Sequence, residues 1–189
     1  DDGLQDKNIS YNLEFVCFDA ENWIGNGHLI PSGPLREKIS SLKKYDAVFL
    51  KSNNEVQKKI IKTIKMINPN IEIFEIFYKI SNIDNFDTSD DYLIFSGIGN
   101  PNNFKNTLLR YNFNIKEVII FPDHYNYNQN DIKKIKLQAK KINAKIITTE
   151  KDYVRISKSE NTDIDFIEVD LIVKNRTKLI DFIKLKINE

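Results

Sequence analysis

The 189 residues carry 28 basic against 27 acidic side chains, a formal net charge of +1, which denies the chain the electrostatic footprint of a nucleic-acid binder. With 41% hydrophobic and 29% charged residues, it is rich enough in apolar side chains for a packed core, which excludes wholesale disorder. The single Cys17 excludes an intramolecular disulfide and a multi-cysteine zinc site, and no apolar run approaches the length of a membrane-spanning helix. Lysine outnumbers arginine 24 to 4, isoleucine and asparagine are abundant and alanine is scarce. That bias is expected of an AT-rich genome, so lysine richness is not by itself a binding patch.

The chain opens on Asp1-Asp2-Gly3, without a methionine. A paired acid of this kind normally follows a hydrophobic strand, so the sequence reads as the C-terminal part of something longer. Leu13–Asp19 and Asp46–Leu50 are nearly continuous in apolar residues and predict buried strands. Between them lies a Gly/Pro-rich loop over 25–34, then a predicted short helix from Leu35 to Lys44 with Pro34 at its start. A helix over Asn54–Ile67 follows, its apolar stripe made by Val56, Ile60, Ile64 and Ile67, and Pro69 stops it. Ile71–Ile80 alternates apolar and polar residues as a half-exposed strand does, and Ser81–Asp91 is polar enough to predict a linker.

Beyond it, Tyr92–Ser96 predicts a strand running into Gly97-Ile98-Gly99, with Asn100 as cap and Pro101 in the first turn of the next helix. A strand at Ile115–Phe121, a helix at Asp131–Ile142 and a strand at Lys145–Thr148 complete a second alternation. Thr149-x-x-Asp152 resembles a capping box. Phe166–Val173 predicts one last strand and Thr177–Ile187 a last amphipathic helix. Strand–helix alternation of this regularity argues an α/β fold, with parallel or mixed sheets and flanking helices.

Four stretches could carry chemistry. Asp1-Asp2-Gly3 sits where a strand would end, the place open α/β sheets put their ligands, and adjacent carboxylates there can hold magnesium beside a phosphate; an acidic turn closed by glycine is the alternative. Arg36 offers a fork to phosphate and Glu37 an oxygen to a metal, unless the glutamate complements a helix N-terminus and the arginine is solvated. His124, with Asp123 beside it and Pro122 restricting the backbone, is placed either for proton handling or as a satisfied loop histidine. Gly97-Ile98-Gly99 fails the dinucleotide fingerprint because Asn102 stands where a glycine is needed, and reads as a tight strand-to-helix turn. Thr148-Thr149-Glu150-Lys151-Asp152 reads as a helix start with local ion pairs, and Cys17, within a strand, as packing.

In order, six stretches resemble one family. They are Asp1-Asp2-Gly3-Leu4-Gln5; Gly25-Asn26-Gly27 with Pro31-x-Gly33-Pro34-Leu35-Arg36-Glu37; Asp46-Ala47-Val48; Gly97-Ile98-Gly99-Asn100-Pro101 with Phe104; Phe121-Pro122-Asp123-His124-Tyr125; and Thr148-Thr149-Glu150-Lys151-Asp152. The chain resembles the C-terminal part of the tetraacyldisaccharide 4'-kinases, the lipid A kinases of Gram-negative bacteria. That resemblance implies the tail of a P-loop NTPase-like domain over residues 1–85 and a smaller α/β domain over 86–189 that closes over the nucleotide. It implies ATP and Mg2+, a tetraacylated glucosamine disaccharide 1-phosphate as substrate, and work at the cytoplasmic face of the inner membrane, reached through an N-terminal part. Carried over residue by residue, it puts Asp1 and His124 in the chemistry, His124 as the support of a catalytic base. Asp2 and Glu37 fall on the metal, and Arg36 on a substrate phosphate. The sequence departs from the family: no G-x-x-x-x-G-K-[ST] run occurs in the 189 residues, and by the resemblance the catalytic aspartate that partners the histidine and the N-terminal hydrophobic helix are expected upstream of Asp1, so the chain alone is expected to be inactive. The alternative is a non-catalytic, stand-alone α/β module for nucleotide binding or interaction.

Overall fold

The computed structural model describes residues 3–6, 8–52 and 58–187. Its strands are β1 (Phe15–Asp19), β2 (Ala47–Lys51), β3 (Glu72–Ile80), β4 (Asp91–Ser96), β5 (Asn114–Ile120), β6 (Lys145–Thr149), β7 (Ile164–Ile167) and β8 (Val169–Val173). The helices are α1 (Lys58–Ile67), α2 (Pro101–Arg110), α3 (Gln129–Lys141), the short α4 (Glu150–Tyr153) and α5 (Arg176–Ile187). Two four-stranded sheets result, ordered β1-β2-β3-β8 and β5-β4-β6-β7. β1, β2 and β3 pair in parallel, and so do all neighbours in the second sheet, as the strand–helix alternation requires. The two-sheet α/β architecture expected from the sequence is therefore the one observed.

The chain divides into two compact units, one of residues 1–77 with 171–189 and the other of Tyr78–Asp170. The expected split into 1–85 and 86–189 differs from this at both ends. Phe166–Val173, expected as one strand, is two: β7 joins the second sheet and β8 the first. The break falls at Glu168, whose N–H is drawn to Asn82 Oδ1 at 3.0 Å while Asn82 Nδ2 donates to Phe166 O at 2.9 Å. Those bonds also overturn Ser81–Asp91 as a linker. Asn82 is stitched to the β7–β8 junction, Tyr92 Oη donates to Asp87 O, and Phe86 packs on Phe113.

In the first unit Val48 and Leu50 of β2 meet Ile60 and Ile64 of α1 with Leu42, Tyr45 and Ile71. Val56, expected in the same stripe, lies outside the described residues. On the other face Phe15, Phe49, Phe74 and Phe182 of α5 form a ring cluster. Among the described residues β1 pairs only with β2; it is half-buried rather than buried, and Cys17 is exposed. The packing role expected for that cysteine is thus corrected: its side chain lies exposed.

The second unit is built around β4, sealed on both faces. Leu93 and Phe95 pack with Ile132, Ile135 and Ala139 of α3, whereas Tyr92 and Ile94 pack with Leu108 of α2 and Phe113, the period-2 alternation of a central strand. Asn100 caps α2 by accepting from Asn103 N–H, with Pro101 following as expected. Asn128 and Asp131 form a reciprocal capping box at the start of α3.

Candidate active site

Arg36 and Glu37 belong to the first unit. They do not open a helix. Leu35 is buried and bridged to Leu29, so the chain winds only later, as a 3-10 turn over Ile39–Lys44. The loop before them is compact: a Cβ on Gly33 would lie 2.2 Å from Asn26 Oδ1 and 2.4 Å from His28 O, so only glycine fits there. Both residues help line a cavity of about 260 Å³ with Val16, Phe18, Trp23 and Leu42. At the C-terminal ends of β1 and β2, Asp19 Oδ2 pairs with Lys51 Nζ at 2.8 Å. Glu37 Oε1 accepts from Tyr45 Oη at 2.8 Å, and its Oε2 lies 3.7 Å from Lys44 Nζ. Burial, then the Glu37 carboxylate, pushes the Tyr45 hydroxyl up to about 12.

Asp1 and Asp2 lie outside the described residues, among which no group of three or more metal-ligating side chains occurs. Glu37 suits Mg2+ as one hard-oxygen ligand, since that ion is held by one or two carboxylates and takes its other oxygens from phosphate and water.

His124 belongs to the second unit, at the C-terminal edge of its parallel sheet. Three turns converge there: Gly97 after β4, Pro122–His124 after β5, and Thr149–Asp152 after β6. This is the edge at which open α/β sheets bind ligands. A Cβ on Gly97 would lie 3.0 Å from Pro122 O and 3.1 Å from both Tyr125 Cβ and Tyr127 Oη, so the turn after β5 would have to give way by a few tenths of an ångström to any side chain there. His124 itself holds φ +59°, a left-handed conformation uncommon outside glycine. Its N–H donates to Gly97 O at 3.0 Å and to Asp123 Oδ1 at 2.9 Å, and its side chain is 69% exposed.

Beneath this exposed imidazole lies a buried carboxylate. Asp152 is 0% exposed; its Oδ2 accepts from Gly97 N–H at 3.1 Å and from the Thr149 hydroxyl at 2.7 Å. Thr149 Oγ1 in turn accepts from Asp152 N–H, so Thr149 caps α4 while the Asp152 carboxylate is drawn away to Gly97. Arg155 Nη1 lies 3.6 Å from Asp152 Oδ1, and its Nη2 lies 3.1 Å from His124 Nδ1. Tyr127 Oη and Asp152 Oδ1 are both buried, and the Tyr127 hydroxyl interacts with the Asp152 carboxylate. Burial, then the charge of Asp152, holds the Tyr127 hydroxyl far above its ordinary range.

Thus Arg36 and Glu37 share one cavity in the first unit, and His124 sits on a sheet edge in the second. The sequence reading missed Asp152 as part of that edge, and missed Arg155 and Tyr127 altogether. One clue was available: in a chain with 24 lysines and 4 arginines, an arginine three residues after an aspartate marks a place where a planar fork is needed.

The family described as tetraacyldisaccharide-1-P 4'-kinase matches residues 1–188. The tetraacyldisaccharide 4'-kinase of Pelagibacter ubique is 47% identical over 189 residues, all of this chain and 60% of its own length. That of Rickettsia bellii is 39% identical over 182 residues, 96% of this chain and 54% of its own. The chain therefore spans little more than half the length of the curated relatives it matches. Among solved structures, LpxK from Aquifex aeolicus, crystallised in complex with ATP, superposes with a TM-score of 0.63 at 18% identity. The superposition covers 97% of this chain and 55% of that one, a likeness of fold. With the six motif stretches, the two α/β sheets and a family match over residues 1–188, the chain belongs to the tetraacyldisaccharide 4'-kinase family.

Proposed function

We propose that the chain is part of an ATP-dependent kinase that phosphorylates the 4'-hydroxyl of a tetraacylated glucosamine disaccharide 1-phosphate, and that the 189 residues alone do not turn over. The observation that carries this reading is His124: an exposed imidazole on a backbone held at positive φ, at the ligand-binding edge of a parallel sheet. In the reaction the hydroxyl oxygen attacks the γ-phosphorus, the bond to the β–γ bridging oxygen breaks, ADP leaves, and the hydroxyl proton passes to a carboxylate. His124 orients that carboxylate and its proton. Asp1 shares the chemistry and Arg36 takes a substrate phosphate; Asp1 enters on family resemblance alone.

Glu37 and, by resemblance, Asp2 would hold Mg2+, which neutralises charge on the phosphates as the γ-phosphoryl group moves. The nucleotide phosphates require a glycine-rich loop that the 189 residues do not contain. Four acyl chains anchor the proposed substrate in a bilayer, so the reaction belongs at the cytoplasmic membrane surface. No helix among the described residues is long and apolar enough to cross one.

The test is His124→Ala in the full-length enzyme. As the support of an acid–base group, its loss should lower kcat by roughly 10²–10⁴-fold with the melting temperature nearly unchanged. Full activity, or a fall in activity matched by a fall in stability, would reduce His124 to a loop residue; a full-length wild type that transfers no phosphoryl group from ATP would favour a non-catalytic module.

A further inference from the structure

The environment of His124 reaches further than its exposure. A guanidinium has only donors, so at 3.1 Å from Arg155 Nη2 the Nδ1 of His124 must accept. In the neutral ring the proton then sits on Nε2. Arg155 is not free to swing away from this contact. Its Nη1 donates to Gly97 O at 3.5 Å and lies 3.6 Å from Asp152 Oδ1. Gly97 O also accepts the His124 N–H. The same Asp152 is fixed through its other oxygen by Gly97 N–H and the Thr149 hydroxyl. A buried carboxylate, a fork and an imidazole thus form one line, with backbone on both sides of it. Tyr127 Oη, buried and interacting with the Asp152 carboxylate, belongs to the same edge.

We infer that Arg155, seated on buried Asp152, is a positioning residue that fixes His124 as the Nε2–H tautomer. His124 then meets an anionic oxygen, on a carboxylate or a phosphoryl group, as a hydrogen-bond donor, and cannot itself take a proton at Nε2. Among the described residues Asp123 offers such an oxygen, its Oδ1 3.9 Å from Nε2. The kinetic arm of the inference rests on the kinase reading above; the tautomer does not.

The experiment is a long-range proton–nitrogen correlation spectrum of the full-length enzyme labelled in its histidines, with His124→Gln identifying the His124 signals by their loss. One protonated Nε2 and one bare Nδ1 are expected in the wild type, giving way to averaged tautomers in Arg155→Met. In the same variant kcat should fall about tenfold, the rate equivalent of one hydrogen bond, at unchanged KM for ATP. Arg155→Lys, which keeps a donor, should restore both the tautomer and most of kcat, which a purely structural arginine would not require. Averaged tautomers in the wild type, a measurement that needs no variant, would overturn the inference. So would a His124 spectrum that Arg155→Met leaves unmoved. A fixed tautomer in an enzyme whose His124→Gln variant keeps full kcat would support the positioning and sink the catalytic assignment of His124.

Discussion

Both units gather charged residues at or just beyond the C-terminal ends of parallel strands, yet they treat those charges differently. In the first unit Asp19 meets Lys51 and Glu37 meets Tyr45 and Lys44 around a cavity, along strands of which β1 is only half-buried. In the second, one carboxylate is wholly buried beneath a sealed central strand and organises three turns around a single imidazole. Ionic contacts beside solvent contribute little and adapt easily, whereas a buried charge must be held by geometry and holds geometry in return. The second arrangement is pre-organised; the first leaves room for a ligand to finish it.

The sharpest way to break this contrast is to open the second core. Phe95→Ala removes a fully buried ring between β4 and α3 and should cost about 3–5 kcal/mol, read as a lower denaturant midpoint at unchanged slope. A loss under about 1 kcal/mol would mean that β4 is not the sealed centre described, since truncating a buried aromatic there is never that mild. Next, Asp152→Ala leaves Gly97 N–H and the Thr149 hydroxyl without their acceptor, at about 1–3 kcal/mol. Asp152→Asn, which keeps an acceptor, should recover most of that in the same denaturation assay. Equal losses in the two variants would show that the carboxylate's charge, not its hydrogen bonds, holds the three turns.

The smallest effect lies in the first unit. The fold binds the Tyr45 proton more tightly than the unfolded chain does, raising that hydroxyl from 10.0 to about 12. Its stabilisation is therefore complete below pH 10 and disappears as the pH rises to about 12. Tyr45→Phe should lose about 1 kcal/mol at neutral pH and show a shallower fall in melting temperature than the wild type across that alkaline window. Identical alkaline slopes would exclude Tyr45 as a buried partner of Glu37.

Much of this was legible in the sequence for a simple reason: a strand buried on both faces announces itself, as Tyr92–Ser96 does. Capping chemistry is equally local, which is why Asn100 and Pro101 could be placed at the start of α2. What failed depended on distant partners. Nothing near Leu35 reveals that it bridges to Leu29 and delays the helix until Ile39. The apolar run over 166–173 cannot report that its halves join different sheets, because the break is made by Asn82 from 84 residues away. At the site, His124 was found from its neighbours in the chain. Arg155 was not, since its partner is 31 residues distant and only the turn after β6 brings them together.

The division of the chain has a consequence for its synthesis. All of the second unit, Tyr78–Asp170, is contiguous, while the first is assembled from two pieces, the later of which starts at Leu171. A ribosome therefore delivers every residue of the second sheet before it delivers most of β8 or the Phe182 ring that packs on Phe15 and Phe74. Domains generally fold as they emerge, but here residues 1–77 must wait for residues 171–189, which come only after the second unit is complete. A premature stop at Leu171 would therefore spare the His124 edge while depriving residues 1–77 of most of β8 and of the Phe182 ring.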